Sequence, residues 1–280
     1  MSKNKILIVI GILLLAAVPF WIFYMAPQLT KLPDGFSYGA LVFSRDNFYD
    51  EAKQNFSGQI VSNTKFSYDV VDKKDGILII KNLFDVRTFE GKKIFAVERL
   101  YGIDPITRKH VAGYGDENRE GYLIAPKGLK KGQEFTYWHI NYDNPADLKF
   151  KEEEIINGLA VYRYETDYHA DQTKNLGFLP GVPKERGINL DINLQLWVEP
   201  VTGRMIKYED KTIAYYYNIS TGERIHPWNN FNNKFNEISI EKQVEIAKTE
   251  KFKIILIETI IPVLMGIIAV VILIFCYLKK

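Results

Sequence analysis

Apolar residues run unbroken at two places in the chain and alternate with polar ones between them. Residues 6–26 carry no charge, and residues 254–278 carry only Glu258. A helix rises about 1.5 Å per residue, so these runs reach about 31 Å and about 37 Å, against a hydrocarbon core of roughly 30 Å. The pattern predicts transmembrane helices over 6–26 and 254–278. In between, Asn189, Asp191, Asn193 and Gln195 alternate without error with Leu190, Ile192, Leu194 and Leu196. That is a strand with one buried and one wet face. Asp75-Gly76 and Asn157-Gly158 are hairpin turn signals. Strands are expected at 66–71, 77–89, 92–101, 133–140, 152–157, 159–166, 189–196, 204–208 and 212–218, with roughly ten in all. No repeat suggests a solenoid or propeller.

Helical spacing returns at Ser239. Ile240, Val244 and Ala247 lie at i, i+4 and i+7, with Glu241, Lys242, Glu245 and Lys248 elsewhere on the surface. Neither Pro nor Gly separates this stretch from the second apolar run, so one long helix is expected. Before the strands, Pro27 and Pro33 are expected to stop the first helix. The fold class that follows is a membrane-anchored all-β protein. Its mostly antiparallel, barrel- or sandwich-like outer domain has two transmembrane helices, the second continuous with a juxtamembrane helix. The expected divisions are a tail (1–5), a span (6–26), the β domain (27–238), the juxtamembrane helix (239–253), a span (254–278) and a tail (279–280).

Charge sets the expected orientation. Lys3 and Lys5 precede the first span, and Lys279 and Lys280 follow the second. Basic flanks favour the cytoplasm, which places both termini inside and residues 27–253 outside the cell membrane. A signal peptide is the competing reading of the first run. Pro19 and Pro27 follow its small residues and disfavour cleavage, so an uncleaved anchor is expected. Trp21, Phe23 and Tyr24, and on the other side Phe275 and Tyr277, would form aromatic belts. The formal net charge of +2 contains no basic stripe, which argues against nucleic acid as a partner. Aromatics make up 14% of the chain, with 17 tyrosines, a composition suited to folded β structure rather than disorder.

Candidate chemistry is sparse. The sole cysteine, Cys276, sits at the inner end of the second span, as apolar filler or as a candidate for acylation. His110, His139, His169 and His226 are scattered, without the close pairs that metal sites use, so no metal or cofactor is expected. Asn141, Asp143 and Glu152 echo a calcium loop, but Ala146 stands where the loop needs glycine. An ordinary Asn/Asp/Pro loop explains them better. Glu258 is an intramembrane carboxylate close enough to the outer boundary to snorkel; an ion or proton path is its other reading. Pro262, one turn on, is expected to kink the helix. Residues 176–183 form an apolar stretch rich in turn formers. It is either tucked into the domain or exposed, with Leu176, Phe178, Leu179 and Val182 meeting a ligand or the membrane.

Several motifs together resemble a known family. They are Ala26-Pro27-x-Leu29-x-Lys31-Leu32-Pro33, Tyr101-x-x-Asp104-x-x-Thr107, Tyr137-Trp138, Asn157-Gly158-Leu159-x-x-Tyr162-Arg163-Tyr164 and Glu199-Pro200-x-Thr202-Gly203. In this order they resemble the PorA-family porins, bacterial two-span proteins with a β-rich outer domain and no established catalytic residue. The family often has a basic residue after the Asp104 position, glycine after the Thr107 position and Asp after the tyrosine–tryptophan step. Here Pro105, Arg108 and His139 stand there.

The function that fits best is a non-catalytic envelope module. Its partners would be the lipid bilayer and an envelope protein or apolar ligand, with the oligomeric state open. A pore or transporter component is the alternative that the family label implies, and an envelope hydrolase is a third. A closed membrane barrel would need lipid-facing apolar bands, and two spanning helices would be redundant beside it.

Overall fold

The computed structural model describes residues 3–174, 183 and 185–278. The chain divides into two compact units, Met1–Leu32 with Lys248–Lys280, and Pro33–Ala247.

In the first unit, α1 (Lys3–Phe20) is followed by a widened π-helical turn (Trp21–Met25) and α2 (Ala26–Thr30). Near the other end of the chain, α3 (Glu237–Ile255), a second π turn (Leu256–Ile260) and α4 (Ile261–Leu278) form one continuous helix. Both helices are long and apolar enough to cross a membrane. Pro27 does not stop the first helix, which runs on to Thr30. A proline removes one N–H from the helical ladder and crowds the preceding turn. Each helix accommodates it by widening the turn that ends two residues earlier. At the second turn, Ile261 N–H bonds Leu256 O. Pro262 has no N–H, so the Ile257 carbonyl has no helical donor. Trp21 Nε1 supplies one at 2.8 Å. Trp21 is thus a helix-to-helix donor as well as a belt candidate, while Phe23 and Tyr277 are exposed. Farther along, Gly11 lets α1 and α4 approach closely. A Cβ there would meet Leu273 Cδ2 at 2.8 Å, and Ala269 beside it is fully buried.

The second unit is built from eleven antiparallel strands: β1 (Ser37–Asp50), β2 (Asn55–Lys74), β3 (Ile77–Thr88), β4 (Lys93–Ile103), β5 (His110–Gly115), β6 (Phe135–His139), β7 (Asn144–Ile156), β8 (Leu159–Asp171), β9 (Arg186–Glu199), β10 (Arg204–Asn218) and β11 (Arg224–Phe235). They form one sheet in the order β5-β4-β3-β2-β1-β11-β10-β9-β8-β7-β6. Two meanders are therefore joined along β1 and β11. The expected antiparallel β domain is what forms, and its sheet is open rather than a closed barrel. Segments 204–208 and 212–218, read as two strands, are one strand, β10.

Because β5 and β6 are consecutive in the chain, the segment linking them lies between the two free edges. Tyr122 makes an isolated bridge to Lys109 on one side and to Tyr137 in β6 on the other. Tyr122 N–H donates to Thr136 O and Trp138 N–H to Tyr122 O, at 3.0 and 2.8 Å. Gly121, at φ +69°, makes this seam fit, since a Cβ there would lie 2.4 Å from Thr136 O.

Turn chemistry places the hairpins. Asp75-Gly76 and Asn157-Gly158 all have positive φ, as a type I′ turn requires. Alternation places the core: Leu190, Ile192, Leu194 and Leu196 face inward among the buried rings of Tyr68, Tyr137, Tyr164 and Tyr208. The first turns of α3 belong to this unit. Asn236 Oδ1 accepts from Ser239 N–H as the helix cap, and Ile240, Val244 and Ala247 are buried as their spacing predicts. Gln243, fully buried, accepts from Arg204 and donates to Gly39 O.

Candidate functional site

Curling of the sheet leaves a cavity of about 260 Å³ inside the β unit. Its walls come from strands that are far apart in sequence. The register sets Ser44, Asp46 and Phe48 of β1 beside Asn233, Phe231 and Asn229 of β11, and Ser44 and Asp46 beside Ser62 and Ile60 of β2. Phe84 and Val86 of β3, Ile94 and Phe95 of β4, Ile188 and Leu190 of β9, and Trp228 complete the apolar surface. Phe48 meets Trp228 edge-on with centroids 6.1 Å apart, and Phe84 meets Phe95 at 6.0 Å. Register shifts between Asn47 and Tyr49 and between Val86 and Arg87 lie beside wall residues. Such bulges bend a strand and re-aim its side chains.

One part of the wall is polar. Asn229 Nδ2 donates to Asp46 Oδ1 at 2.8 Å, which leaves Asn229 Oδ1 buried with no partner. Burial pushes the Asp46 carboxyl above its ordinary range, and the Asn229 bond only partly offsets this. Asn141 donates through Nδ2 to Tyr208 Oη at 2.6 Å, and its Oδ1 is likewise unpartnered.

Behind Asn141 and Asn233 lies a fully buried polar network. Asp210 accepts from Tyr208 Oη, from Asn233 Nδ2 at 2.9 Å and from Tyr142 Oη at 3.3 Å. Burial raises its pKa to about 7 against these hydrogen bonds. His139 is also buried, and desolvation lowers its pKa to about 3. Its Nε2 lies 2.7 Å from Tyr208 Oη and its Nδ1 2.5 Å from Tyr168 Oη. Both imidazole nitrogens are therefore taken by tyrosines.

Asp143 belongs to a separate cluster. Arg119 Nε lies 3.0 Å from it, Trp138 Nε1 donates at 2.8 Å, and Arg99 and Lys174 stand at 3.7 and 3.5 Å. Burial opposes its ionisation, but Arg99 and Arg119 prevail and hold the carboxyl below the usual range. The residue that echoed a calcium ligand is an ion-pair hub.

Of the residues singled out by sequence, Glu258 lies in the second π turn, where its Oε1 accepts from Thr30 Oγ1 at 2.6 Å. Cys276 is buried. Leu176, Phe178, Leu179 and Val182 lie outside the described residues. The cavity itself was not legible in the sequence. Its only linear trace is a run of short polar side chains, Ser44-x-Asp46 and Ser62-x-Thr64, on faces whose alternation points inward.

A family model described as porin PorA matches residues 109–278. The chain belongs to the porin PorA family. No curated protein matches it. Among solved structures, it is similar to a Bacteroides fragilis protein described as exported and of YmcC-like fold. Identity is 14%, 70% of this chain and 93% of the other are covered, and the TM-score is 0.28. It is also similar to a Thermobifida fusca protein described as a thioesterase II, at 9% identity, 76% and 85% coverage and a TM-score of 0.14. At these scores neither likeness bears on function.

The PorA motifs sit at structural joints. Asp104 Oδ1 accepts from the N–H groups of Ile106 and Thr107. That turn presents Arg108, which donates to the carbonyls of Ala125 and Thr202. Thr202 N–H in turn donates to Glu199 Oε2 at 2.7 Å. Arg108 has φ +66°, a left-handed conformation that glycine adopts without strain. The membership and the two apolar helices fit a membrane protein with a β domain.

Proposed function

We propose that this protein is a non-catalytic, membrane-tethered module whose β domain takes up an apolar molecule. The single observation that carries the reading is the cavity of about 260 Å³ with half-exposed aromatic walls. Binding sites are concave and mostly apolar, with a few placed polar groups. An apolar cavity of about 150 Å³ already holds a benzene. The two helices would hold the domain at the outer face, with both termini inside and residues 27–253 outside. The occupied imidazole of His139 supports a binding role over a hydrolytic one, since it has no ring nitrogen to offer a substrate.

The test uses the full-length chain in phosphatidylcholine nanodiscs and 1-bromooctane, a heavy-atom quencher. Trp228 lines the cavity, so its fluorescence should fall saturably; Trp228→Phe supplies the background. Ser62→Phe fills the cavity and should abolish the saturable part while leaving the circular dichroism unchanged. Equal quenching in the wild type and Ser62→Phe would reject the reading.

The family's description favours a pore as a second reading, with the Thr30–Glu258 pair as its polar element. Against a porin-type barrel, the outer face of β8, β9 and β10 is polar. Glu165, Asp167 and His169 neighbour Gln195, Asn193 and Asp191, and Glu209 and Lys211 flank the same row. Steady conductance in planar bilayers that is lost in Glu258→Ala would establish the pore instead.

A further inference from the structure

We infer that the cavity takes a single-chain amphiphile polar end first, and that this end is neutral and carries hydroxyls. The inference rests on the binding role proposed above and adds the orientation and the head group. It follows from a gradient along the cavity wall. Ser44, Ser62 and Thr64 line the cavity while only 6%, 2% and 1% exposed. Ser44 pairs with Ser62 across β1 and β2, Thr64 lies two residues farther along β2, and Asn233 of β11 continues the row beyond Ser44. Strand alternation turns all of them to one face. Toward the other end the lining is apolar and open. Ile60 and Ile94 are 47% and 38% exposed, and the rings of Phe48 and Trp228 are half-buried. From Ser44 to Phe48 the strand rises about 13 Å, enough to seat a short alkyl chain.

The floor hydroxyls have chemistry to offer. Among the described residues, no side-chain or backbone group hydrogen-bonds the hydroxyls of Ser44, Ser62 or Thr64. Asn229 Oδ1 and Asn141 Oδ1 are also unpartnered, but they are sealed within the wall. The three hydroxyls are not sealed and open onto the cavity. A buried polar group left unpaired carries its desolvation penalty. Each hydroxyl both donates and accepts, so its natural complement is another hydroxyl. An ionised end has no such complement. The lining holds no Lys, Arg or His. Its one carboxylate, Asp46, is already bonded to Asn229 and sits opposite Ile60, nearer the mouth. A charge on the floor would be buried without a counter-ion, which costs far more than burying a neutral group. The hydrocarbon tail then meets Phe48, Phe84, Phe95 and Trp228 on its way out.

Four quenchers with the same chain test this: 8-bromooctane-1,2-diol, 1-bromooctane, 8-bromooctylamine and 8-bromooctanoate. Each is titrated against the full-length protein in phosphatidylcholine nanodiscs, with Trp228→Phe as background. The probes partition differently into the disc, so each is compared between wild type and variant. The double variant Ser44→Ala, Ser62→Ala removes two floor hydroxyls without adding bulk. It should weaken quenching by the diol about tenfold, the scale of two neutral hydrogen bonds. By making the wall more apolar, it should strengthen quenching by 1-bromooctane. Thr64→Val should act in the same directions on a smaller scale, and serves if the double variant does not fold. The amine and the carboxylate should each lose less than the diol. A diol response equal in wild type and variants would mean that water alone serves the hydroxyls or that the head stays at the mouth. That result, a loss shared equally by the diol and 1-bromooctane, or a larger loss for either charged probe overturns the inference and leaves the cavity reading standing. Quenching by 1-bromooctane that is indifferent to Ser62→Phe removes both.

Discussion

Asn233 Nδ2 donates to Asp210 Oδ1 across 2.9 Å, joining the cavity wall to a carboxylate with no solvent exposure. The folded state keeps the Asp210 proton up to about pH 7, whereas an unfolded Asp releases it near 3.8. Between those values the folded state binds the extra proton, so the stability contributed by Asp210 falls as pH rises. His139 acts in the opposite sense. Its folded pKa of about 3 lies below the ordinary 6.5, so the stability of its neutral form is lost as pH falls through that window. From about pH 4 to 6.5 the two slopes offset each other. Asp210→Asn removes only the first. Its melting temperature relative to wild type should therefore rise between pH 5 and pH 8. A difference that is the same at both pH values would show that Asp210 titrates normally.

Arg108 combines a left-handed backbone with a buried guanidinium that serves two carbonyls. Arg108→Ala loses the hydrogen bonds and keeps the strain, and should cost about 2 kcal/mol. Arg108→Gly loses the same bonds but relieves the backbone, so it should be milder by about 1 kcal/mol. Chemical denaturation of the three proteins measures that ordering. The reverse order would mean that the left-handed conformation carries no cost here.

Gly121→Ala tests the seam. With Thr136 O at 2.4 Å from the new Cβ and φ at +69°, the segment must move. A cost of about 2 kcal/mol is expected from backbone strain of this kind. Amide exchange should accelerate at Tyr122 and Trp138, whose N–H groups make the seam. Unchanged protection at both would place the closing contacts elsewhere.

Trp21→Phe removes the donor from the Ile257 carbonyl and should cost about 1 kcal/mol. Pro262→Ala restores a backbone N–H nearby. The double variant should therefore lose less than the two single variants predict together, as measured by thermal melts of the detergent-solubilised chain. Strict additivity would mean that Trp21 and Pro262 do not share that carbonyl.

Much of this architecture was legible, because local rules wrote it. The alternation at 189–196, the paired positive-φ turns at Asp75-Gly76 and Asn157-Gly158, and the i, i+4, i+7 face of Ile240, Val244 and Ala247 each depend on near neighbours. The strands β1 and β11 were not recognised. β1 mixes Arg45, Asp46 and Asn47 into its length, and β11 carries Asn229, Asn230, Asn232 and Asn233. Those polar residues serve the cavity and the Asp210 network, so function and strand signal compete at the same positions. Pro27 misled for a related reason, since a single widened turn absorbs a residue that usually ends a helix. His139 gave no hint of its role, because its partners Tyr168, Tyr208 and Asp210 come from β8 and β10.

The two widened turns also set the angular phase of the helices. Each accommodates one residue more than an α-helical turn, and one residue is worth about 100° of rotation about the axis. Ala269, Leu273 and Cys276 of α4 thus owe their bearing to the turn at Leu256–Ile260. Deleting a single residue there would leave their composition intact and swing that stripe a quarter-turn or more away from Gly11.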